Sequence, residues 1–250
     1  MSPLSRPSDP TGVRAILPLK QSTNGGSGSF LVRADDGRRY WCKSLNNFQS
    51  PRVPINEQLV ARLGTLINAP VCTPQLVQLD AIAGWEIRPG TNRLVEAGWA
   101  HGCLAVESAV ETRTLDRRAE DDNRVRHAGI PTIYDWMCGN DPQWLMASAD
   151  ANSFHSHDHG HYFAGPDWTS TTLGTMLTTE YTVPDTSNLD PMELARLADA
   201  LDGLQREDIE EQVAKLPASW PIDDAELESF VDLADARRAP VAERMRALIP

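Results

Sequence analysis

Asn140-Asp141-Pro142-Gln143-Trp144-Leu145 and Ser156-His157-Asp158-His159-Gly160 place two carboxylates, Asp141 and Asp158, seventeen residues apart with an amide side chain, Gln143, between them. Phosphoryl transfer uses such a set: one carboxylate orients the acceptor hydroxyl, a second holds magnesium on the nucleotide phosphates, and an amide completes the metal shell. Asp141, Asp158 and Gln143 suit those roles in that order. Trp144 and Leu145 predict a short core-anchored strand that projects Asp141 and Gln143 toward a cleft, and Asp158 falls where a predicted strand after Phe154 gives way to a turn. The plainer reading of the first stretch is an Asn-Asp-Pro turn.

Upstream, the pattern is strand-rich. Val13 to Leu19 predicts an opening strand. Phe30 to Ala34 and Arg39 to Leu45 flank Asp35-Asp36-Gly37, a strong hairpin signal. The polar turn before them holds Asn24-Gly25-Gly26-Ser27-Gly28, where missing side chains let backbone N–H groups approach phosphate oxygens. It does not match G-x-x-x-x-G-K-[S/T], which excludes an ordinary P-loop. Lys43 sits on the strand after the turn and Glu57 at the start of the next predicted helix, an arrangement in which a strand lysine grips phosphates and a helix carboxylate positions it. That helix runs from Asn56, its expected cap, to Pro70, on the spacing of Leu59, Val60, Leu63, Leu66 and Ile67. Val71 to Leu79 and Gly84 to Arg88 read as further strands. A surface lysine and a dipole-favoured glutamate explain Lys43 and Glu57 equally well when each is taken alone.

Downstream and between, Cys103 to Ala109 reads as a connection and Glu111 to His127 as a charged surface helix or loop. Ile133 to Cys138 predicts a helix entering the first motif. Gly165 to Ser187 reads as loop, and three helices follow: Pro191 to Gly203 with Asp190 as cap, Arg206 to Leu216, and Asp223 to Leu248 interrupted at Pro240.

Composition narrows the function classes. The chain has 250 residues and a net charge of −12, which argues against nucleic acid as a partner. Asp190 to Pro250 alone carries 15 acidic and 7 basic residues, a solvated helical face. No apolar run approaches a membrane span. Met1 to Gly12 reads as a disordered lead without an export signal, so the expected location is the cytoplasm. Cys42, Cys72, Cys103 and Cys138, about thirty residues apart, read as free thiols.

Taken in order, Gly25 to Gly28, Lys43, Asn56-Glu57 with its helix ending in Ala69-Pro70-Val71, Tyr134-Asp135, Gly139 to Leu145 and Asp158-His159-Gly160 resemble the HipA-like kinase family. The resemblance implies an α+β, two-lobed protein-kinase-like fold: a β-rich N-lobe over 13–105, a mainly helical C-lobe over 106–250, and ATP between them, with the adenine expected near Trp99 to Glu107. It implies that Gly25, Gly26, Ser27, Gly28, Lys43 and Glu57 serve the nucleotide, Asp141 the acceptor hydroxyl, and Gln143 with Asp158 the Mg2+ ion. It also implies a Ser or Thr hydroxyl of a protein as acceptor. The family's loop commonly reads Asn-x-Asp-Arg with an asparagine three residues on, whereas this chain reads Asp141-Pro142-Gln143, shorter and without the arginine. That departure keeps a second class open, a kinase fold that binds nucleotide or a protein partner with little turnover. A third reading rests on His155, His157, His159 and His161, which alternate as on one strand face and suggest a zinc hydrolase.

Overall fold

The computed structural model describes residues 4–21 and 26–250. Five strands close a small barrel in the order β1-β2-β3-β5-β4: β1 Val13–Gln21, β2 Phe30–Ala34, β3 Arg39–Lys43, β4 Pro74–Gln78 and β5 Trp99–Leu104. Alternation fills its interior with Ala15, Phe30, Val32, Ala34, Tyr40, Cys42, Val77 and Ala100. The Asp-Gly hairpin sets β2 against β3, with Phe30 opposite Cys42 and Arg33 opposite Arg39. Pro18 has no N–H for the ladder, and the β1–β2 register slips on either side of it. Closure comes from a short parallel pairing, Val13 with Val77 and Arg14 with Gln78.

Helix α1, Val53–Leu66, crosses from the barrel to the rest of the molecule. Val53 and Pro54 set its first turn, and Pro tolerates that place because the N–H it lacks would have no partner there. Asn56 is therefore not the cap. It is fully buried one turn in, where Nδ2 donates to Gly160 O at 3.0 Å and Oδ1 accepts from Trp168 Nε1 at 2.9 Å. A polar residue at a helix start reads as a cap in sequence, but here tertiary hydrogen bonding outcompetes capping.

A second sheet follows in the order β6-β7-β8, from β6 Ala109–Thr112, β7 Trp144–Ala147 and β8 Ser153–Ser156. It is tied to the end of α1 through Ser156 N donating to Pro70 O at 2.6 Å and Cys72 N to Ser156 O at 3.0 Å. The short helix α2, Asn123–Arg126, and α3, Gly129–Trp136, precede β7. After β8 come α4 Ser170–Gly174, α5 Pro191–Gly203, α6 Arg206–Val213 and α7 Asp224–Ala247. Their facing sides make the larger core, including Trp136, Trp168, Phe163, Leu197, Ile209 and Phe230.

Three expectations change. Gly84 to Arg88 is not a strand: it makes one bridge, Glu86 to Leu94, and the Glu86 carboxylate closes the loop by accepting from Thr91 N at 3.0 Å and Asn92 N at 2.9 Å. Helix α7 runs through Pro240 unbroken, held by buried residues on both sides, Phe230, Val231 and Ala234 before and Val241 and Met245 after. Residues 4–7 lie against the helical part, where Arg6 donates to Asp224 Oδ1 at 2.9 Å and to Ile222 O at 2.8 Å, and Ala218 N donates to Pro7 O at 2.9 Å. A lone arginine holding backbone carbonyls leaves no periodic signal in the sequence. Among the described residues, no helix is long and apolar enough to cross a membrane.

Candidate functional site

Between the barrel and the second sheet lies a cavity of about 260 Å³. The barrel side contributes Ser27, Trp41, Lys43, His101 and Cys103, α1 contributes Glu57 and Ala61, and the far wall comprises Glu111, Leu145, His157, Asp158 and His159.

Lys43 ends β3 with its ammonium pointing inward, where it ion-pairs with both Glu57 Oε1 and Asp158 Oδ1. Glu57 is 3% exposed, and its other oxygen accepts from the backbone N–H of His159 at 3.0 Å. Each carboxylate oxygen of Glu57 thus has a donor, as burial requires. The chain reaches this geometry through two local devices. Asp158 adopts a left-handed backbone, φ 56°, which Asp tolerates better than most residues, so the strand direction breaks just after β8. The 3₁₀ turn His159–His161 then packs under α1, where a side chain on Gly160 would meet Val53 Cγ1 at 2.7 Å.

Electrostatics inside the cavity follow from burial and these pairs. Burial pulls the Lys43 ammonium down, but Asp158 and Glu57 together outweigh it and hold it above its ordinary range. Burial pushes the Glu57 carboxyl up, and Lys43, aided by His101 and His159, holds it well below instead. Among the described residues Lys43 is the one Lys or Arg of the lining, against the carboxylates of Glu57, Glu111 and Asp158.

His101, opposite Lys43 in the β3–β5 ladder, shares a 3.0 Å hydrogen bond through Nδ1 with Gln58 Nε2. Burial holds its imidazole down to about 4 against the upward pull of Glu57. His127, fully buried under Phe154, is likewise held down to about 4 by burial, with Arg118 adding to it. In the unfolded chain both titrate near 6.5. Between those values the unfolded chain binds protons that the folded chain does not, so stability present above about 6.5 is lost as pH falls toward about 4, by about 2 kcal/mol per histidine at pH 5. Glu57, depressed from an ordinary 4.5, contributes at every pH above that and is silent in this window. The melting temperature is expected to fall from pH 7 to pH 5, and His101→Gln to flatten the fall. A variant with the wild-type slope would exonerate His101.

Asp141 and Gln143 come together, but beside the cavity rather than in its lining. Gln143 Nε2 donates to Asp141 Oδ2 at 2.7 Å, Arg113 Nη1 donates to Asp141 Oδ1 at 2.6 Å, and Asp141 N donates to Asn140 Oδ1 at 3.0 Å. Of the glycine-rich turn, Gly25 lies outside the described residues. Ser27 lines the cavity, and its carbonyl accepts from Phe48 N at 3.2 Å. Gly28, at φ 73°, lies so close to the Phe48 ring that a side chain has no room. His101, Glu111 and Arg113 were not singled out from the sequence, where a lone residue on a short strand carries no signal; His157 was singled out there only as part of the zinc row, and it lines the cavity.

The histidine row does not form. His155 stays on β8, where Nε2 meets Ser153 Oγ at 3.2 Å, and His159 Nε2 meets Ser156 Oγ at 2.8 Å after the chain has turned at Asp158. Among the described residues no group of three His, Cys, Asp or Glu can hold a metal ion. The left-handed turn at Asp158 breaks the alternation on which the zinc reading depended.

No family model matches the chain, and no curated protein matches it in sequence. Solved structures do. The crystal structure of a Helicobacter pylori proinflammatory kinase, CtkA, is similar over 95% of this chain and 97% of its own, with a TM-score of 0.60 at 9% identity. The chain has a protein-kinase-like fold. The Golgi casein kinase is similar over 97% of this chain and 74% of its own, with a TM-score of 0.51 at 10% identity. Within this kinase-like fold the barrel with α1 is the β-rich part and the helices from α3 onward the helical part, as the sequence led one to expect.

Proposed function

We propose that the chain is an ATP- and Mg2+-dependent phosphotransferase of HipA-like type acting on a Ser or Thr hydroxyl of a protein, with an N-lobe over 13–105 and a C-lobe over 106–250. The observation that carries this reading is Lys43 bridging Glu57 and Asp158 at the base of the cavity. The three come from β3, α1 and the turn after β8, and a merely structural ion pair does not need to assemble them on a cavity wall. Lys43 grips the α and β phosphates, Glu57 fixes Lys43, and the backbone around Gly26, Ser27 and Gly28 covers the phosphates. Ala61, Cys103, Val106 and Leu145 supply apolar lining suited to adenine.

Magnesium takes one or two carboxylates and completes its shell with phosphate and water oxygens. Asp158, 32% exposed on its side chain and facing the cavity, fits that sparse donor set. Gln143 presents its N–H to Asp141, which leaves its carbonyl oxygen for the ion. Charge gives the physical reason for metal dependence. A lining with three carboxylates and one lysine repels a bare triphosphate, so the nucleotide enters with its cation. Bound there, the ion neutralises charge on the terminal phosphates.

The test is a thermal-shift titration with ATP, with and without magnesium. Stabilisation by roughly 2–4 kcal/mol at saturating nucleotide is expected only with magnesium, and Asp158→Ala should abolish it. Equal shifts for the variant and wild type would sink the assignment of Asp158. A second reading, binding without turnover, is favoured by one observation: both oxygens of Asp141 are already occupied by Arg113 and Gln143.

A further inference from the structure

Resting on the phosphotransfer reading, the geometry points to Arg113 as a substrate-contacting residue of the transfer step, a guanidinium delivered from a neighbouring strand to a loop that has none of its own. Strand β6 pairs with β7 so that Glu111 faces Leu145 and Thr112 faces Trp144. One step further along, Arg113 lies beside Gln143. Arg113 and Gln143 sit just past the ends of β6 and β7 and share Asp141 as their partner, while Trp144 turns away into the core. Glu111 and Leu145 line the cavity. Close along the chain to these two lining residues, Arg113 and Gln143 both bond Asp141, and the three form an exposed rim beside the cavity.

At that rim the Arg113 side chain is 63% exposed, and one Nη1 contact to Asp141 leaves most of its fork unused. The cations that follow it are turned elsewhere: Arg117 to Glu120, Arg118 to His127 and Ser187 O, Arg124 to Asn188 O and Arg126 to Ala151 O. An exposed Arg–Asp pair is worth at most about 1 kcal/mol, whereas a phosphate accepts a guanidinium through two parallel, charge-assisted bonds. A nucleotide whose terminal phosphate reaches the rim therefore takes Arg113 from Asp141. The exchange does two things at once. It places a positive charge on the equatorial oxygens of the phosphoryl group, and it frees Asp141 Oδ1 to face the acceptor hydroxyl. In the transfer, the acceptor oxygen forms its bond to the γ-phosphorus as the bond to the β–γ bridging oxygen breaks. ADP leaves with that electron pair, and the hydroxyl proton passes to Asp141. The Asp141–Arg113 pair that argues for an idle site is then the resting state of a working one.

The experiment measures Mg-ATP binding by thermal shift, and phosphate release and self-labelling from γ-labelled ATP, for wild type, Arg113→Lys and Arg113→Ala. Arg113→Ala is expected to lose on the order of 100-fold in kcat with little change in KM for ATP, to melt with the wild type, and to regain activity with added guanidinium ion. Arg113→Lys should fall between, because it keeps the charge and loses the fork. An Arg113→Ala rate at or above that of an active wild type would overturn the inference and leave phosphotransfer standing. A wild type that binds no Mg-ATP, or binds it without transfer, would overturn phosphotransfer itself and the role of Arg113 with it.

Discussion

Arg237→Met is expected to cost about 3–5 kcal/mol of stability, read as a fall of roughly 10 °C in melting temperature. Arg237 is fully buried within α7. Its guanidinium donates to the carbonyls of Asp135, Trp136, Met176 and Thr179, ion-pairs with the Asp135 carboxylate at 2.8 Å, and stacks over Tyr181 at 5.2 Å. One side chain therefore joins α3, α7 and the segment between α4 and α5. Methionine fills similar space but donates nothing: Asp135 O keeps Cys138 N and Met176 O keeps Thr179 N, but all four carbonyls lose a charged donor, and the buried Asp135 carboxylate is left with Arg244 and Tyr181 N. The double variant Arg237→Met/Asp135→Leu should recover part of the loss, because the fully buried carboxylate is then gone, and only part, because Arg244 and Tyr181 N lose their acceptor. A single-variant loss under about 1 kcal/mol would show that the network is dispensable.

Arg237 also marks the limit of what the sequence discloses. Helix α5, with Asp190 as cap and Pro191 in the first turn, was legible to the residue because capping and proline rules act over a few positions. The β2–β3 hairpin was legible for the same reason. Lys43, Glu57 and Asp158 stood together in the sequence only through the order of motifs in the resemblance, and the fold brings their side chains into contact. The Asp135–Arg237 pair is separated by about a hundred residues, and an arginine in an amphipathic helix looks like any solvated charge until the fold buries it. Asn56 misled for the converse reason, since its partners, Gly160 and Trp168, are distant in sequence. Arg113 meets Asp141 only through the β6–β7 register, and neither short strand carries a periodic signal long enough to fix a register.

Lys43→Met separates structure from chemistry more sharply than any other substitution at the site. The variant should lose phosphotransfer by on the order of 1,000-fold and stability by about 3–5 kcal/mol, since the buried Glu57 carboxylate then keeps only the His159 N–H beside it. The pH dependence identifies the cause. In the wild type Lys43 holds Glu57 below its ordinary 4.5, and the stabilisation is present above that value. Without Lys43, the strongest of the groups opposing burial is gone, only His101 and His159 remain against it, and the Glu57 pKa rises. A raised carboxyl stabilises the fold only while protonated, so stability is lost as pH rises from about 4.5 through its new value. That loss runs against the gain from the neutral histidines over the same range and should flatten or reverse the wild-type rise between pH 5 and pH 7. Adding Glu57→Gln removes the stranded charge while its amide oxygen still accepts from His159 N, so the double variant should regain most of the stability and the wild-type slope, yet no transfer. Recovered transfer in the double variant would mean that Lys43 serves the fold and not the phosphates. An unshifted pH slope in the single variant would mean that Glu57 does not depend on Lys43 for its charge.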